Sequence, residues 1–214
     1  NTDSSKMEVY IGSTWMEVAV SESVPTGDRG VYAGDQEPGS NNISYLSLTT
    51  GGVAVDFGDL NFSTALASAL SSRTRGIFSN GNADSPGAKN TLDFVTIATA
   101  GNATDFGDLT VARYNGTGSS NQTRGIFSGG HNPGLVDTMD FVTISITSNA
   151  IDFGNLASNT YGIRSCSNST RLLNGGGGTP SNINVIQFVT ISSTGNTVDF
   201  GDLTSAKSNL LSCS

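Results

Sequence analysis

The sequence contains few charged residues and few of the side chains that most often perform catalysis or bind metals. Only 13% of its 214 residues are charged, against roughly 25% in average soluble proteins. There is a single histidine, and no pair of cysteines has the short spacing of a zinc site. No apolar run approaches the ~18 residues of a membrane-spanning helix. These absences argue against a zinc protein, a histidine-based enzyme and a helical membrane protein.

The charge that is present is acidic. The net charge is −8, and the ten lysines and arginines are scattered along the chain. Nucleic acids and anionic membranes are bound by clustered basic residues, so neither is an expected partner. The remaining composition is rich in Ser, Thr, Asn and Gly, which suits many short strands joined by turns. It also suits a surface exposed outside cells or on a virus particle.

Several short sequence motifs are repeated along the chain. "DFGDL" begins at Asp56, Asp105 and Asp199, and "DFGNL" begins at Asp152, so the steps are 49, 47 and 47 residues. "TRGIFSNG" at 74–81 recurs as "TRGIFSGG" at 123–130, and "DFVTI" at 93–97 recurs at 140–144. Because these markers share one register, the chain is an array of repeats of about 47 residues.

Each repeat reads as four short strands, which we name A to D in chain order. In the third repeat, strand A lies near 111–120, and B, C and D carry "TRGIFSGG", "TMDFVTISI" and "AIDFGNL". The register also assigns "STALASAL" at 63–70 to a strand A, although its composition suits a helix. Strand C has apolar residues on both faces, as in a sheet packed between two others. Radial repetition of four-stranded sheets predicts an all-β fold of the β-propeller type.

The repeat register also predicts how the array is bounded. Residues 204–214 align with 157–167, the start of a repeat, whereas the first repeat lacks its own strand A. We therefore expect residues 204–214 to complete blade one and close a four-bladed ring, which removes open sheet edges. The blades are then 28–60 with 204–214, 61–109, 110–156 and 157–203. The alternative is that the chain is part of a longer array with more blades.

Residues 1–27 stand outside the repeat and read as a short hairpin extension. Within it, "VYIGSTWMEV" has two apolar runs around a turn. Trp15, the only tryptophan, is an anchor candidate that either plugs one end of the ring or docks on a neighbouring subunit. Association with a second copy therefore stays open.

The strand B and C sequences resemble the kelch repeat, in which a strand ending in two glycines precedes an aromatic strand. "FSGG" and "NGGGG" carry this resemblance. The departure is in strand D, where kelch repeats usually carry Trp and this chain has Asp-Phe. The pattern "DFGDLTVAR…TRGIFSGG…DFVTI" is further similar to kelch-like repeats of bacteriophage virion and tail-associated proteins. The resemblance implies a structural or host-attachment role in the virion rather than an enzymatic activity, and we expect no cofactor.

Recurring polar residues are candidates for metal or anion binding. Carboxylate pairs three residues apart are weak calcium candidates, because Ca²⁺ takes six to eight oxygen ligands; we favour a turn-making role. These residues are Asp56, Asp59, Asp105, Asp108, Asp199 and Asp202. An arginine that begins each strand B can grip an anion or, as we favour, pair with the "DFGD" aspartates. These residues are Arg29, Arg75, Arg124 and Arg171.

We predict buried structural positions for two further sets of residues, the strand C aromatics and the cysteines. Tyr45, Phe94, Phe141 and Phe188 recur in strand C and are expected in the core between blades. Cys166 and Cys213 are 47 residues apart and occupy equivalent repeat positions. Equivalent positions are seldom close enough for a disulfide, so we expect two small buried thiols.

The loops between strands B and C differ where everything else repeats, and all four should emerge at one end of the molecule. Loops on a rigid scaffold often carry function, so this loop face is the candidate binding surface; the alternative is that these are tolerant loops. Its candidate residues are Asp35, Gln36, Glu37, Asn82, Asp84, Lys89, His131, Asn132, Asp137 and Asn182. His131 has no second histidine to work with, so a surface contact is favoured over catalysis.

The sequence therefore predicts a non-enzymatic virion protein of a phage, a tail appendage or capsid decoration that displays a rigid propeller. Its expected partners are other virion proteins or a receptor or glycan on the host surface. The alternative is an extracellular, lectin-like adhesion module, secreted or on a cell surface. Sugar sites need aromatic platforms, and the four loops contain no Trp, Tyr or Phe, which favours the structural role. A hydrolase or lyase is disfavoured by the single histidine.

Overall fold

The computed structural model describes residues 8–11, 14–17, 28–34, 39–81 and 87–213 of the chain, and only the backbone of 8–11 and 14–17. Every regular element within these residues is a β-strand, which confirms the all-β class. The strands are β1 (Glu8–Ile11), β2 (Thr14–Glu17), β3 (Arg29–Ala33), β4 (Ser40–Ser47), β5 (Val55–Thr64), β6 (Ser68–Ser71), β7 (Arg75–Ser79), β8 (Thr91–Thr96), β9 (Thr104–Asp108), β10 (Thr117–Ser120), β11 (Arg124–His131), β12 (Leu135–Thr143), β13 (Ile151–Asn155), β14 (Arg164–Ser167), β15 (Arg171–Gly175), β16 (Val185–Thr190) and β17 (Val198–Asp202).

The strands form four antiparallel repeat sheets and one separate hairpin. The first repeat sheet is β3-β4-β5, the second is β6 to β9, the third is β10 to β13 and the fourth is β14 to β17, each in chain order. Strands B and C pair in the same register in each sheet, with Arg75 opposite Thr96 and Arg124 opposite Thr143. The predicted N-terminal hairpin is the β1–β2 pair, in which Tyr10 lies opposite Trp15. The side chain of Trp15 lies outside the described residues.

Successive sheets pack face to face, and the core lies in the three interfaces between them. The phenylalanines of the first three "DFG" segments, Phe57, Phe106 and Phe153, point into the next sheet and are only 2–3% exposed. The interface between the second and third sheets, for example, joins Phe106 to Phe127 and Ile144. Burying one such side chain contributes roughly 1.5–3 kcal/mol. This arrangement is blade-like, and it explains why strand C is apolar on both faces.

The short A strands lie side by side at the inner edges of the sheets, with β10 against both β6 and β14. Hydroxyl groups join β10 to β14, since the Thr117 and Ser165 oxygens are 2.9 Å apart and those of Ser119 and Ser167 are 2.7 Å apart. Because these positions are crowded, small Ser and Thr side chains fit them. The segment at 63–70 contains a strand A, β6, as the repeat register predicts, rather than a helix.

The two ends of the array differ from the internal interfaces. Residues 204–213 form no strand, so the first repeat sheet has three strands instead of the predicted four. The tail contacts the fourth sheet instead: the Asn209 N–H donates to the Gly162 carbonyl (2.8 Å) and the Ser212 hydroxyl donates to the Ser165 carbonyl (2.8 Å). Phe200, the last "DFG" phenylalanine, is 52% exposed. The fourth sheet therefore has an open outer face.

The prediction that both cysteines are buried thiols is wrong. Cys166 is half-buried in β14, and Cys213 is exposed. Cys213 belongs to the tail, which no further sheet covers, so the repeat register alone does not determine its exposure. Both thiols are free, in agreement with the absence of a predicted disulfide.

Candidate functional site

The first three strand B arginines reach across to the next sheet. The guanidinium carbons of Arg29, Arg75 and Arg124 lie 4.2–4.6 Å from the ring centres of Tyr45, Phe94 and Phe141. Their Nη1 atoms donate to the carbonyl oxygens of Ile97, Ile144 and Ile191, at 3.0–3.2 Å. The expected pairing with the "DFGD" aspartates is therefore wrong, because a main-chain carbonyl of the next sheet is the partner. Each of these arginines stacks on an aromatic ring of its own sheet by a cation–π contact and joins the next sheet by a charge-assisted hydrogen bond.

The fourth strand B arginine lacks this link. Arg171 lies 5.0 Å from the ring centre of Phe188 and is exposed. The same ring forms an edge contact with Phe200 (5.7 Å), as the other strand C aromatics do with their own "DFG" phenylalanines. The four arginines thus face successive interfaces and do not converge on one anion.

The "DFGD" segments are joined to the next sheet by an asparagine. The side-chain oxygens of Asn102, Asn149 and Asn196 accept hydrogen bonds from the N–H groups of Asp59, Asp108 and Asn155, at 3.0–3.1 Å. We call this contact the asparagine clasp. Most of the aspartate carboxylates, in contrast, point to solvent: Asp56, Asp59, Asp105, Asp199 and Asp202 are exposed and Asp108 is half-buried. Among the described residues, no three His, Cys, Asp or Glu side chains cluster as metal ligands would.

A buried polar position in strand C was missed by the sequence analysis. Asp93, Asp140 and Gln187 are at most 1% exposed, and each accepts a hydrogen bond from the first N–H group after the "DFGDL" or "DFGNL" of the preceding repeat. The donors are Asn61 (3.0 Å), Thr110 (3.3 Å) and Ala157 (2.9 Å). The signal was available, since an acidic or amide residue inside an apolar strand needs a partner when it is buried.

One of these acceptors forms a buried ion pair. Arg113 Nη2 lies 2.8 Å from Asp140 Oδ2, and both side chains are at most 3% exposed. Burial lowers the pKa of Arg113, while the charge of Asp140 and its hydrogen bond raise it. The Arg113 Nη1 atom has no hydrogen-bond partner. The pair lies between the second and third sheets. Because solvent does not reach either side chain, its role is to stabilise the interface rather than to bind a ligand.

The loop-face candidates are only partly described. Asp35, Gln36, Glu37, Asn82 and Asp84 lie outside the described residues. Asn182 is exposed and lies in a β-bridge with Gly178, and Lys89 is half-buried, with its N–H donating to the Gly81 carbonyl (3.3 Å).

Two loop-face candidates are in strands rather than in a loop. His131 is the last residue of β11, and Asp137 lies within β12, because the third repeat extends its B–C hairpin. Asn132 follows directly and donates to the Ala112 carbonyl (2.9 Å). The His131 ring lies 5.2 Å from that of Tyr114, and its buried Nδ1 atom has no hydrogen-bond partner among the residues that the structure describes. It therefore lacks the hydrogen-bonded group that orients a general base.

Comparisons with known proteins do not assign this chain to a family. No protein-family model matches the chain, and no curated protein matches it significantly. Within the part of the chain that the structure describes, no helix is long and apolar enough to cross a membrane.

Proposed function

We propose that this protein is a non-enzymatic virion component of a phage, a tail appendage or capsid decoration whose rigid repeat sheets display the B–C loops toward a host surface. The observation that carries the proposal is the contrast between the two parts of each repeat. Arginine links and asparagine clasps recur at each internal interface, whereas the B–C segments differ in length and sequence. Uniform joints make a rigid support, and variation at one end is what a binding face needs.

The phage assignment rests on the repeat style, which resembles that of kelch-like phage proteins. The lack of an oriented base around His131 supports a role without catalysis. Partners are then other virion proteins or a host receptor or glycan, and the protein acts outside the host cell.

The test is quantitative proteomics on purified phage particles from the source sample. A fixed copy number per particle is expected, with hundreds of copies for capsid decoration and tens or fewer for a tail appendage. Absence from particles, with the protein on cells or free in the medium, would contradict the proposal. That result would favour the adhesion module and call for a glycan-binding screen.

We further propose that the four sheets form a closed four-bladed, kelch-like propeller when the end of the chain pairs with β3. The tail already forms the hydrogen bond that joins the starts of successive repeats. The Asn209 N–H donates to the Gly162 carbonyl, and the Gly162 N–H donates to the Asn115 carbonyl in the same way (2.9 Å). In repeat register, residues 211–214 correspond to strand β14. Pairing would cover the free edge of β3, which open sheets generally avoid.

A disulfide test exploits the native Cys213. Cys166 lies opposite Leu173 in the fourth sheet, and the same register places Cys213 opposite Val31. In a Cys166→Ser background, Val31→Cys should therefore form an intramolecular disulfide with Cys213, because opposite residues are within disulfide range. Tyr32→Cys, whose side chain points to the other face, is the matched control and should stay reduced. Disulfides between chains, or equal reactivity of both variants, would contradict closure within one chain.

A further inference from the structure

The connections between successive sheets converge on a cavity of about 470 Å³. Its wall includes Leu66, Asn115 and Asn209, which occupy equivalent positions after β5, β9 and β17. Main-chain hydrogen bonds order this wall, since Asn115 N–H donates to Leu66 (2.9 Å) and Asn209 N–H donates to Gly162 (2.8 Å). Gly34, at the end of β3, contributes to the same wall. Because D–A connections and B–C loops lie at the same end of antiparallel sheets, the cavity is at the loop end of the molecule.

Arg164 is the one charged residue among the described residues that line this cavity. It begins β14, and the equivalent positions in the other repeats are Ser68, Thr117 and Leu211, so the repeat pattern does not require a cation there. Its Nη1 atom donates to the carbonyl oxygens of Ile163 (2.8 Å) and, more weakly, Gly116 (3.4 Å). Nε and Nη2 have no acceptor among the described residues.

No carboxylate among the described residues balances the charge of Arg164. Arg113, which is fully buried, has Asp140 at 2.8 Å, whereas Arg164 is half-buried, has no ion pair with the described residues, and burial lowers its pKa. A half-buried guanidinium without a counter-charge pays part of its desolvation cost without compensation. This isolated cation lies in a chain whose net charge is −8. The guanidinium of Arg164 is therefore available to pair with an anion that enters the cavity.

We propose that this cavity binds the carboxylate of a small organic acid, with the guanidinium of Arg164 as the main contact. The guanidinium fork matches the two oxygens of a carboxylate, and its Nε and Nη2 donors are free to form that pair. The side-chain amides of Asn115 and Asn209 supply hydrogen-bonding groups beside it. A volume of this size lies within the range of small-molecule sites, and it fits a single sugar acid or an acidic amino acid derivative.

Two probe molecules present a carboxylate on different carbon skeletons. D-glucuronate represents acidic glycans, and N-acetylglutamate represents acidic peptides. Each is titrated into the ¹⁵N-labelled full chain, and the shift of the Arg164 Nε–Hε signal is followed, with D-glucose as the neutral control. We expect saturable binding of at least one acid and none of glucose. Arg164→Gln should weaken binding roughly tenfold or more, as loss of a charged hydrogen-bond donor does. The tighter acid identifies the source of the carboxylate.

Arg73→Gln is the matched control, because Arg73 is an exposed arginine outside the cavity and should leave the affinity unchanged. Thermal unfolding of both variants separates loss of binding from loss of fold, and Arg164→Lys provides a second, charge-preserving variant with partial affinity. The proposal is overturned if neither acid binds at tens of millimolar, or if Arg73→Gln weakens binding as much as Arg164→Gln. Because it concerns only this cavity, the result is independent of whether the protein is found in phage particles.

Discussion

At the scale of single residues, the buried pair of Arg113 and Asp140 shows how one repeat departs from its neighbours. The position of Arg113 is Thr160 one repeat later, and that of Asp140 is Gln187. The same buried position is therefore occupied by an ion pair in the third repeat and by two neutral polar residues in the fourth. The charged solution is costly to break, because removing one partner leaves a buried charge unpaired.

Replacing one partner of this pair should therefore be worse than replacing both. We expect Arg113→Thr or Asp140→Gln to lower the free energy of unfolding by about 3–5 kcal/mol. The double variant copies the pair of the following repeat and should recover much of that loss. Urea denaturation of the three variants measures this coupling. Additive losses in the double variant would show that the two side chains do not depend on each other.

At the scale of elements, the arginine of strand B is the joint between neighbouring sheets. Arg124 lies 4.2 Å from the Phe141 ring centre and donates to the Ile191 carbonyl. Arg124→Met keeps the apolar stem but removes both contacts, so we expect a loss of about 1–3 kcal/mol. Arg73→Met, at an exposed arginine, should change stability by less than about 0.5 kcal/mol. Equal thermal shifts for the two variants would contradict a joint at Arg124.

A second joint depends on close backbone approach. Gly154 in β13 has a φ of 141°, and a Cβ atom there would overlap the Gly195 carbonyl oxygen of the next sheet. Gly154→Ala should therefore cost about 2 kcal/mol or more, from strain and overlap together. Gly201, at the equivalent position of β17, has a φ of 146° with no neighbour within 4 Å, so Gly201→Ala should carry the same backbone strain without the overlap and cost less than Gly154→Ala. Chemical denaturation of both variants separates the overlap from the strain.

The elements were largely predictable because they repeat. Four copies of an aromatic strand and of "DFG" specify the register of the sheets, and the packing of Phe106 follows from apolar residues on both faces of strand C. The partner of Arg124 was not predictable, because a main-chain carbonyl leaves no mark in the sequence. The exposure of Cys213 depends on the end of the array rather than on local pattern. The Arg164 cavity is formed by connections from several repeats, so it could not be predicted from any single segment of the sequence.

At the scale of the whole molecule, the interface that the proposed ring closure would form between the last and first sheets differs in sequence from the three internal ones. The position of Asn102 in the second repeat is Val53 in the first, so the asparagine clasp to the fourth sheet is absent. Val53 is 90% exposed, and Tyr32 and Leu48 on the same sheet are about 60% exposed. In a closed ring, this interface would be the weakest of the four and the place where the ring opens.

Restoring the missing clasp should then strengthen the ring. In the proposed closed ring, the repeat register would place residue 53 opposite the N–H of Asp202, as Asn196 lies opposite that of Asn155. Val53→Asn should raise the free energy of unfolding by about 0.5–1.5 kcal/mol, the net value of one hydrogen bond. Asn196→Val, which removes the clasp at an internal interface, should lower it by a similar amount. If Asn196→Val destabilises the protein while Val53→Asn leaves it unchanged, the ends of the array do not meet as the internal sheets do. That pair of results would favour an array continued by further blades.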